Sequence, residues 1–232
     1  MRGCSFLLRR GGVLGLIGES GSGKTSALMA IPRLLPPGTL VEGEVLCDGE
    51  DVLKFGPDAL NRWRQRVAAL VPQGAMNSFT PHLTVGRHIT EVLEVHMGMR
   101  GAEADRRAGC LLESVGLAAS FASRRPHELS GGQKQRAALA VALSCDPAFL
   151  LADEPTTALD VITQREVLDV MTAAARERGM GMLLVTHDLP LASECCDVLA
   201  VMKDGEIVES GRTEDVVANP RHEYTAKLLS AA

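Results

Sequence analysis

Aromatic side chains are scarce in this chain, with one Trp, one Tyr and five Phe among 232 residues. Stacking platforms for single-stranded nucleic acid are therefore few, and a net charge of -5 gives no basic footprint for a polyanion. Nucleic acid is not expected as a partner. No stretch of about 18 uninterrupted apolar residues occurs, so no membrane span is expected, and Met1-Arg2-Gly3-Cys4 opens no apolar signal segment. The six cysteines show no C-x-x-C spacing, which reads as reduced thiols in a cytoplasmic chain. The vicinal pair Cys195-Cys196 is expected to be buried at the start of an apolar strand rather than to be a redox site. No period of about 20–50 residues recurs, which excludes a repeat architecture.

What is present is enough apolar residue, 46%, to fill a sizeable core, in a length at the upper end for one domain or for a core with a subdomain. The most informative stretch is Gly18-Glu19-Ser20-Gly21-Ser22-Gly23-Lys24-Thr25. It fits G-x-x-x-x-G-K-[ST] directly after the apolar run Val13 to Ile17 and before a helix-forming segment. Glycines let backbone N–H groups close around phosphate oxygens, and the helix start adds its positive dipole end. Lys24 would reach the β- and γ-phosphates of a nucleoside triphosphate, and the Thr25 hydroxyl would hold Mg²⁺.

Strands and helices alternate along the chain. Strands are expected at Phe6–Leu8, Val13–Ile17, Gly43–Asp48, Asp51–Leu53, Val67–Val71, Ala148–Ala152, Met182–Thr186, Val198–Met202 and Glu206–Glu209. Asp58 is expected to cap a helix reaching Arg66. From Thr80 to Pro126 the texture becomes helical without strands, over Thr84–Met97, Glu103–Val115 and Leu117–Ala122, which predicts a helical insertion between two sheet strands. Ser130 opens a helix to about Ser144, and Asp160 caps a helix running to Arg178.

Several further residues fall where chemistry is done. Asp153 and Glu154 end the apolar run Ala148–Ala152, at the sheet edge from which the glycine loop emerges. Asp153 can hold Mg²⁺ there, and Glu154 can polarise a water against the γ-phosphate; two solvated acids are the alternative. Ser130-Gly131-Gly132-Gln133 reads as a capping box, but two glycines in a first helical turn cost about 0.8–1 kcal/mol each against alanine. A phosphate approaching bare backbone at that helix start would offset this. Gln73 in isolation is a loop amide or a γ-phosphate and Mg²⁺ sensor, and His187 a turn residue or part of the site.

Taken together, GESGSGKT at 18–25, Gln73, LSGGQ at 129–133, FLLADE at 149–154, ALD at 158–160 and His187 resemble, in order, the ATP-binding subunit of ATP-binding-cassette transporters. The resemblance implies an α/β P-loop NTPase core with a mixed sheet and an inserted helical subdomain. Residues 1–79 and 127–232 would form the core with a β subdomain, and 80–126 the helical part. It implies that Gly18–Thr25 with Ser26 bind ATP, and that Lys24, Glu154 and His187 act in its hydrolysis. Thr25, Gln73 and Asp153 would hold Mg²⁺, while Ser130–Gln133 and Asp160 would meet nucleotide across a head-to-tail dimer.

Val71–Asn77, Arg125-Pro126-His127-Glu128 and Pro220-Arg221-His222-Glu223-Tyr224-Thr225 are similar to the peptide and nickel importer branch. That branch implies a second ATPase subunit, two membrane-spanning permease subunits and an external binding protein, with this chain at the cytoplasmic face of the membrane. An exposed surface at Asn77–Leu83, with Phe79 and Leu83 as apolar anchors, is the expected socket for a permease helix. The family's adenine-stacking aromatic would precede Met1, so it is expected to be absent or supplied otherwise. The alternative function is a soluble accessory ATPase, such as a subunit of the carbon–phosphorus lyase complex.

Overall fold

The computed structural model describes residues 3–230. In chain order the strands are β1 (Val13–Ile17), β2 (Leu46–Cys47), β3 (Glu50–Asp51), β4 (Ala68–Val71), β5 (Phe149–Asp153), β6 (Gly181–Thr186), β7 (Val198–Lys203) and β8 (Glu206–Arg212). The helices are α1 (Lys24–Ala30), α2 (Pro57–Trp63), α3 (Val85–Met97), α4 (Gly101–Ser114), α5 (Gly131–Ala142), α6 (Val161–Glu177), α7 (Leu189–Cys195), α8 (Thr213–Ala218) and α9 (Glu223–Ser230). Six strands form one sheet in the order β4-β5-β6-β1-β7-β8, parallel except for the β7–β8 hairpin. This is the mixed sheet that the family resemblance implies.

Strand pleating sorts the apolar residues onto two faces. Val13, Ile17, Leu150, Ala152, Met182, Leu184, Leu199 and Val201 face one cluster, and Leu14, Leu16, Leu151, Leu183, Val185, Ala200 and Met202 face the other. Because helices cover both faces, the central strands read as unbroken apolar runs. The second face is covered by Ala27 and Leu28 of α1 and by Leu60 and Trp63 of α2.

Between β4 and β5 the chain forms α3, α4, α5 and short 3-10 turns, and no strand. Thr84 caps α3, its Oγ1 accepting from Arg87 N, and Gly98 closes it in the left-handed region. Val85, Ile89, Leu93, Leu111 and Leu112 on α3 and α4 belong to the same buried cluster as Leu150 and Leu184 of the sheet. Asp146, in the loop before β5, takes Arg107 of α4 on one carboxylate oxygen and Arg178, just past α6, on the other.

The structure corrects several sequence expectations. Phe6–Leu8 has the alternation of a strand, with Leu7 exposed and its neighbours half-buried, but it joins no ladder among the described residues. Asp51 ends β3 and its Oδ1 accepts from Val45 N and Leu53 N, so 52–54 curl into a 3-10 turn instead of extending. Gly56 rather than Asp58 caps α2, with Pro57 in its first turn, and the helix stops at Trp63, where Arg64 turns out of helical geometry (ψ 142°) ahead of the left-handed Gln65. Cys195 and Cys196 lie at the end of α7, not on a strand; Cys196 is buried and Cys195 half-buried. Phe79 packs against the main core with its ring edge-on to His88, and both it and Leu83 are half-buried while Asn77, Ser78, Pro81 and His82 are exposed, so the two expected anchors are partly engaged from within.

Candidate functional site

The glycine loop leaves the carboxyl end of the central strand β1 and runs into α1. Its path requires glycine at the start: Gly18 has φ +155°, and a Cβ there would stand 2.1 Å from Met202 O. Lys24 is 4% exposed, and its Nζ donates to Gly18 O at 2.7 Å and Glu19 O at 2.8 Å. Burial lowers its pKa, opposed by the nearby carboxylates Glu154, Asp153 and Glu19. Ser20, Gly21, Thr25 and Ser26 are exposed along the loop and the first turn of α1.

Asp153 ends β5, two strands from β1, and is fully buried. Its Oδ1 accepts from Thr25 Oγ1 at 3.0 Å, while Oδ2 has no hydrogen-bond partner. Burial raises its pKa, with Glu154 adding to the effect and Thr25 and Lys24 opposing it. An orphaned buried carboxylate oxygen beside a threonine hydroxyl fits a hard divalent cation, whose oxygen ligands are of this kind.

Glu154 adopts a left-handed backbone, φ +42°, with its N–H donating to Val185 O. The sheet edge thus turns its side chain toward three partners. Oε2 accepts from Gln73 Nε2 at 3.2 Å and Thr157 Oγ1 at 3.0 Å, and Oε1 lies 3.2 Å from His187 Nδ1. Gln73, Glu154 and His187, spread over 115 positions of sequence, are thereby assembled around one carboxylate, and His187 remains open with 62% of its side chain exposed. Gln73 reaches the glutamate through its amide nitrogen. Thr157 was not singled out from sequence; nothing in its spacing distinguishes it from the neighbouring Thr156.

Ser130–Gln133 forms the expected capping box: Ser130 Oγ accepts from Gln133 N, and Gln133 Oε1 accepts from Ser130 N. The glycines have a reason that the sequence argument missed. A Cβ on Gly132 would meet Thr163 Cγ2 at 2.4 Å, and one on Gly131 would meet Leu159 Cδ2 at 3.1 Å, so bare backbone lets α5 start against α6. No hydrogen bond among the described residues joins this turn to residues 18–25. Asp160 caps α6, accepting from Thr163 N at 3.0 Å and Thr163 Oγ1 at 2.7 Å, and these bonds lower its pKa.

The clash carries a prediction. Thr163 is locked by its two bonds to Asp160 and cannot swing its methyl aside. Gly132→Ala should therefore destabilise the fold by about 1–3 kcal/mol, despite the gain of about 1 kcal/mol in helix propensity. Thr163→Ser, which deletes the methyl and keeps the hydroxyl, should restore most of the loss in denaturant titrations. Unchanged stability of the single variant would show that the helices separate freely.

A mostly parallel sheet whose central strand feeds a glycine loop and helix, with a buried aspartate on a nearby strand end bonded to the loop threonine, defines a P-loop nucleoside triphosphatase. Residues 1–157 match the family model described as ABC transporter. The chain is 41% identical over 232 residues to the probable D,D-dipeptide transport ATP-binding protein DdpD of Escherichia coli, covering 98% of this chain and 71% of that one. It is 42% identical over 234 residues to the oligopeptide transport ATP-binding protein OppD of Mycobacterium tuberculosis, covering 100% of this chain but 38% of that one. Among solved structures it resembles a dimeric ATP-binding cassette in a post-hydrolysis state bound to ADP and Pi, with TM-score 0.77 and 32% identity, over 90% of this chain and 88% of that one. The chain belongs to the ABC transporter family, as an ATP-binding and ATP-hydrolysing subunit.

Proposed function

We propose that this chain hydrolyses ATP to drive import of a peptide-class substrate through membrane-spanning partner subunits. The observation that carries the hydrolytic part is the Glu154 carboxylate held by Gln73, Thr157 and His187 next to the Thr25–Asp153 pair. In this reading the loop Gly18–Thr25 with Ser26 grips the phosphates, and Lys24 supplies the cation toward the β- and γ-groups. Thr25 and Asp153 would hold Mg²⁺, with Gln73 as a further contact, and the ion would neutralise charge on the phosphate oxygens. Glu154 takes the proton of the attacking water at its carboxylate, and His187 keeps that carboxylate aimed.

Two subunits work head to tail, so that Ser130–Gln133 and Asp160 of one face the nucleotide of the other. Residues 80–126 act as the helical part that relays closure to the membrane partners. The peptide class is supported by the names of the relatives, which are dipeptide and oligopeptide transport ATP-binding proteins. No helix among the described residues is long and apolar enough to cross a membrane, so the membrane crossing falls to partners. The chain then sits peripherally at the cytoplasmic face.

Tagged full-length chain isolated from native membranes in mild detergent tests the assembly. Two membrane-spanning chains and a second ATP-binding chain should co-purify. Recovery only from the soluble fraction, within a soluble enzyme complex, would instead establish the accessory ATPase.

A further inference from the structure

The stretch Pro220 to Thr225 takes no part in the chemistry above, yet the fold carries it to the phosphate loop. Glu209 on β8 accepts from Arg221 N at 2.8 Å through one carboxylate oxygen and from His222 N at 3.0 Å through the other. His222 Nδ1 in turn accepts from Tyr224 N at 3.1 Å, at the first turn of α9. Tyr224 is 7% exposed, and its hydroxyl accepts from Glu19 N at 3.0 Å, across 205 positions of sequence. Lys203 Nζ lies 5.2 Å over the same ring. A few residues further along the loop, Ser22 O accepts from Gly205 N at 2.9 Å, in the β7–β8 turn. The loop is therefore tied at two points, Glu19 to α9 and Ser22 to the hairpin turn.

We propose that Tyr224 is a positioning residue for ATP binding, a strut that fixes the entry limb of the phosphate loop, with Glu209 as its anchor on the sheet. A backbone cradle binds phosphate through the directions of its N–H groups, so a loop held in advance loses less freedom when nucleotide arrives. The hydroxyl contributes nothing to the transfer step itself, being bonded to backbone at the second position of the loop. Its loss should weaken ground-state and transition-state binding alike, which appears in KM rather than kcat.

The inference rests on the phosphate-loop reading, which Lys24→Ala tests separately. Tyr224→Phe keeps the ring, its burial and the Lys203 contact, and deletes only the acceptor. In the full chain it should raise the MgATP Kd by calorimetry, and the KM for ATP, by about 3–10-fold, the span of one neutral hydrogen bond. The turnover number at saturation and the melting temperature without nucleotide should stay near wild type. Glu209→Ala should shift Kd in the same direction and add nothing further in the Tyr224→Phe background. Glu209→Gln, which keeps one acceptor, should shift it less. Wild-type affinity in Tyr224→Phe, or a fall in kcat with KM unchanged, overturns the proposal. Additive losses in the double variant overturn the role of Glu209 as anchor. If Lys24→Ala also binds normally, the loop reading fails first; if Lys24→Ala is dead and Tyr224→Phe is neutral, the strut alone fails.

Discussion

Lys24→Ala should lower MgATP affinity by at least about 10²-fold, beyond the range of ordinary calorimetry. Two features set the size of the effect. The ammonium is buried and already directed by the loop carbonyls of Gly18 and Glu19, so its charge is poorly screened and its position fixed. Charge-assisted hydrogen bonds contribute about 1.5–3 kcal/mol each, and two such bonds to phosphate oxygens account for the expected loss. The deletion also leaves Asp153 and Glu154 without the cation that balances them, so the incoming triphosphate meets a negative site. Near-wild-type affinity in a folded variant would remove residues 18–25 from nucleotide binding.

Glu154→Gln should leave nucleotide binding intact and cut turnover about 10²–10⁴-fold, the contribution of a positioned base. The substitution is close to neutral in shape. An amide oxygen can still accept from Gln73 Nε2 and Thr157 Oγ1, so the side chain stays where it is and only its capacity to take a proton is lost. With hydrolysis stopped, MgATP should hold two subunits together during size-exclusion chromatography, and ADP should not. Retained turnover with no dimer would place the base elsewhere or require a different partner chain.

Parts of this architecture were legible from the sequence because they repeat a local rule. Val13–Ile17, and Phe149–Asp153 and Gly181–Thr186 up to their polar last residues, are apolar because both sheet faces are covered, and the loop after β1 announces itself by glycines. The caps at Thr84, Ser130 and Asp160 fall where hydrogen-bonding side chains precede helical runs. One short helix that escaped is α7, which opens Leu189-Pro190 and mixes small and apolar residues, so nothing in its period separates it from the strand that follows. Long-range contacts escaped for a different reason. The bond from Glu19 N to Tyr224 and the approach of Gly132 to Thr163 are set by how elements pack, and no spacing along the chain encodes them. For Gly132 the local cost was visible, but its cause lay on another helix.

Asp146 joins Arg107 of α4 to Arg178 beyond α6, and more than half of its side chain is exposed. Ion pairs this open contribute only about 0–1 kcal/mol each and weaken as salt screens them over roughly 8–10 Å. The seam where the helical stretch meets the end of α6 is thus fastened by contacts that release cheaply and re-form without repacking, unlike the buried leucines nearby. Salt should therefore loosen this edge of the seam alone, while the apolar core that α3 and α4 share with the sheet stays shut.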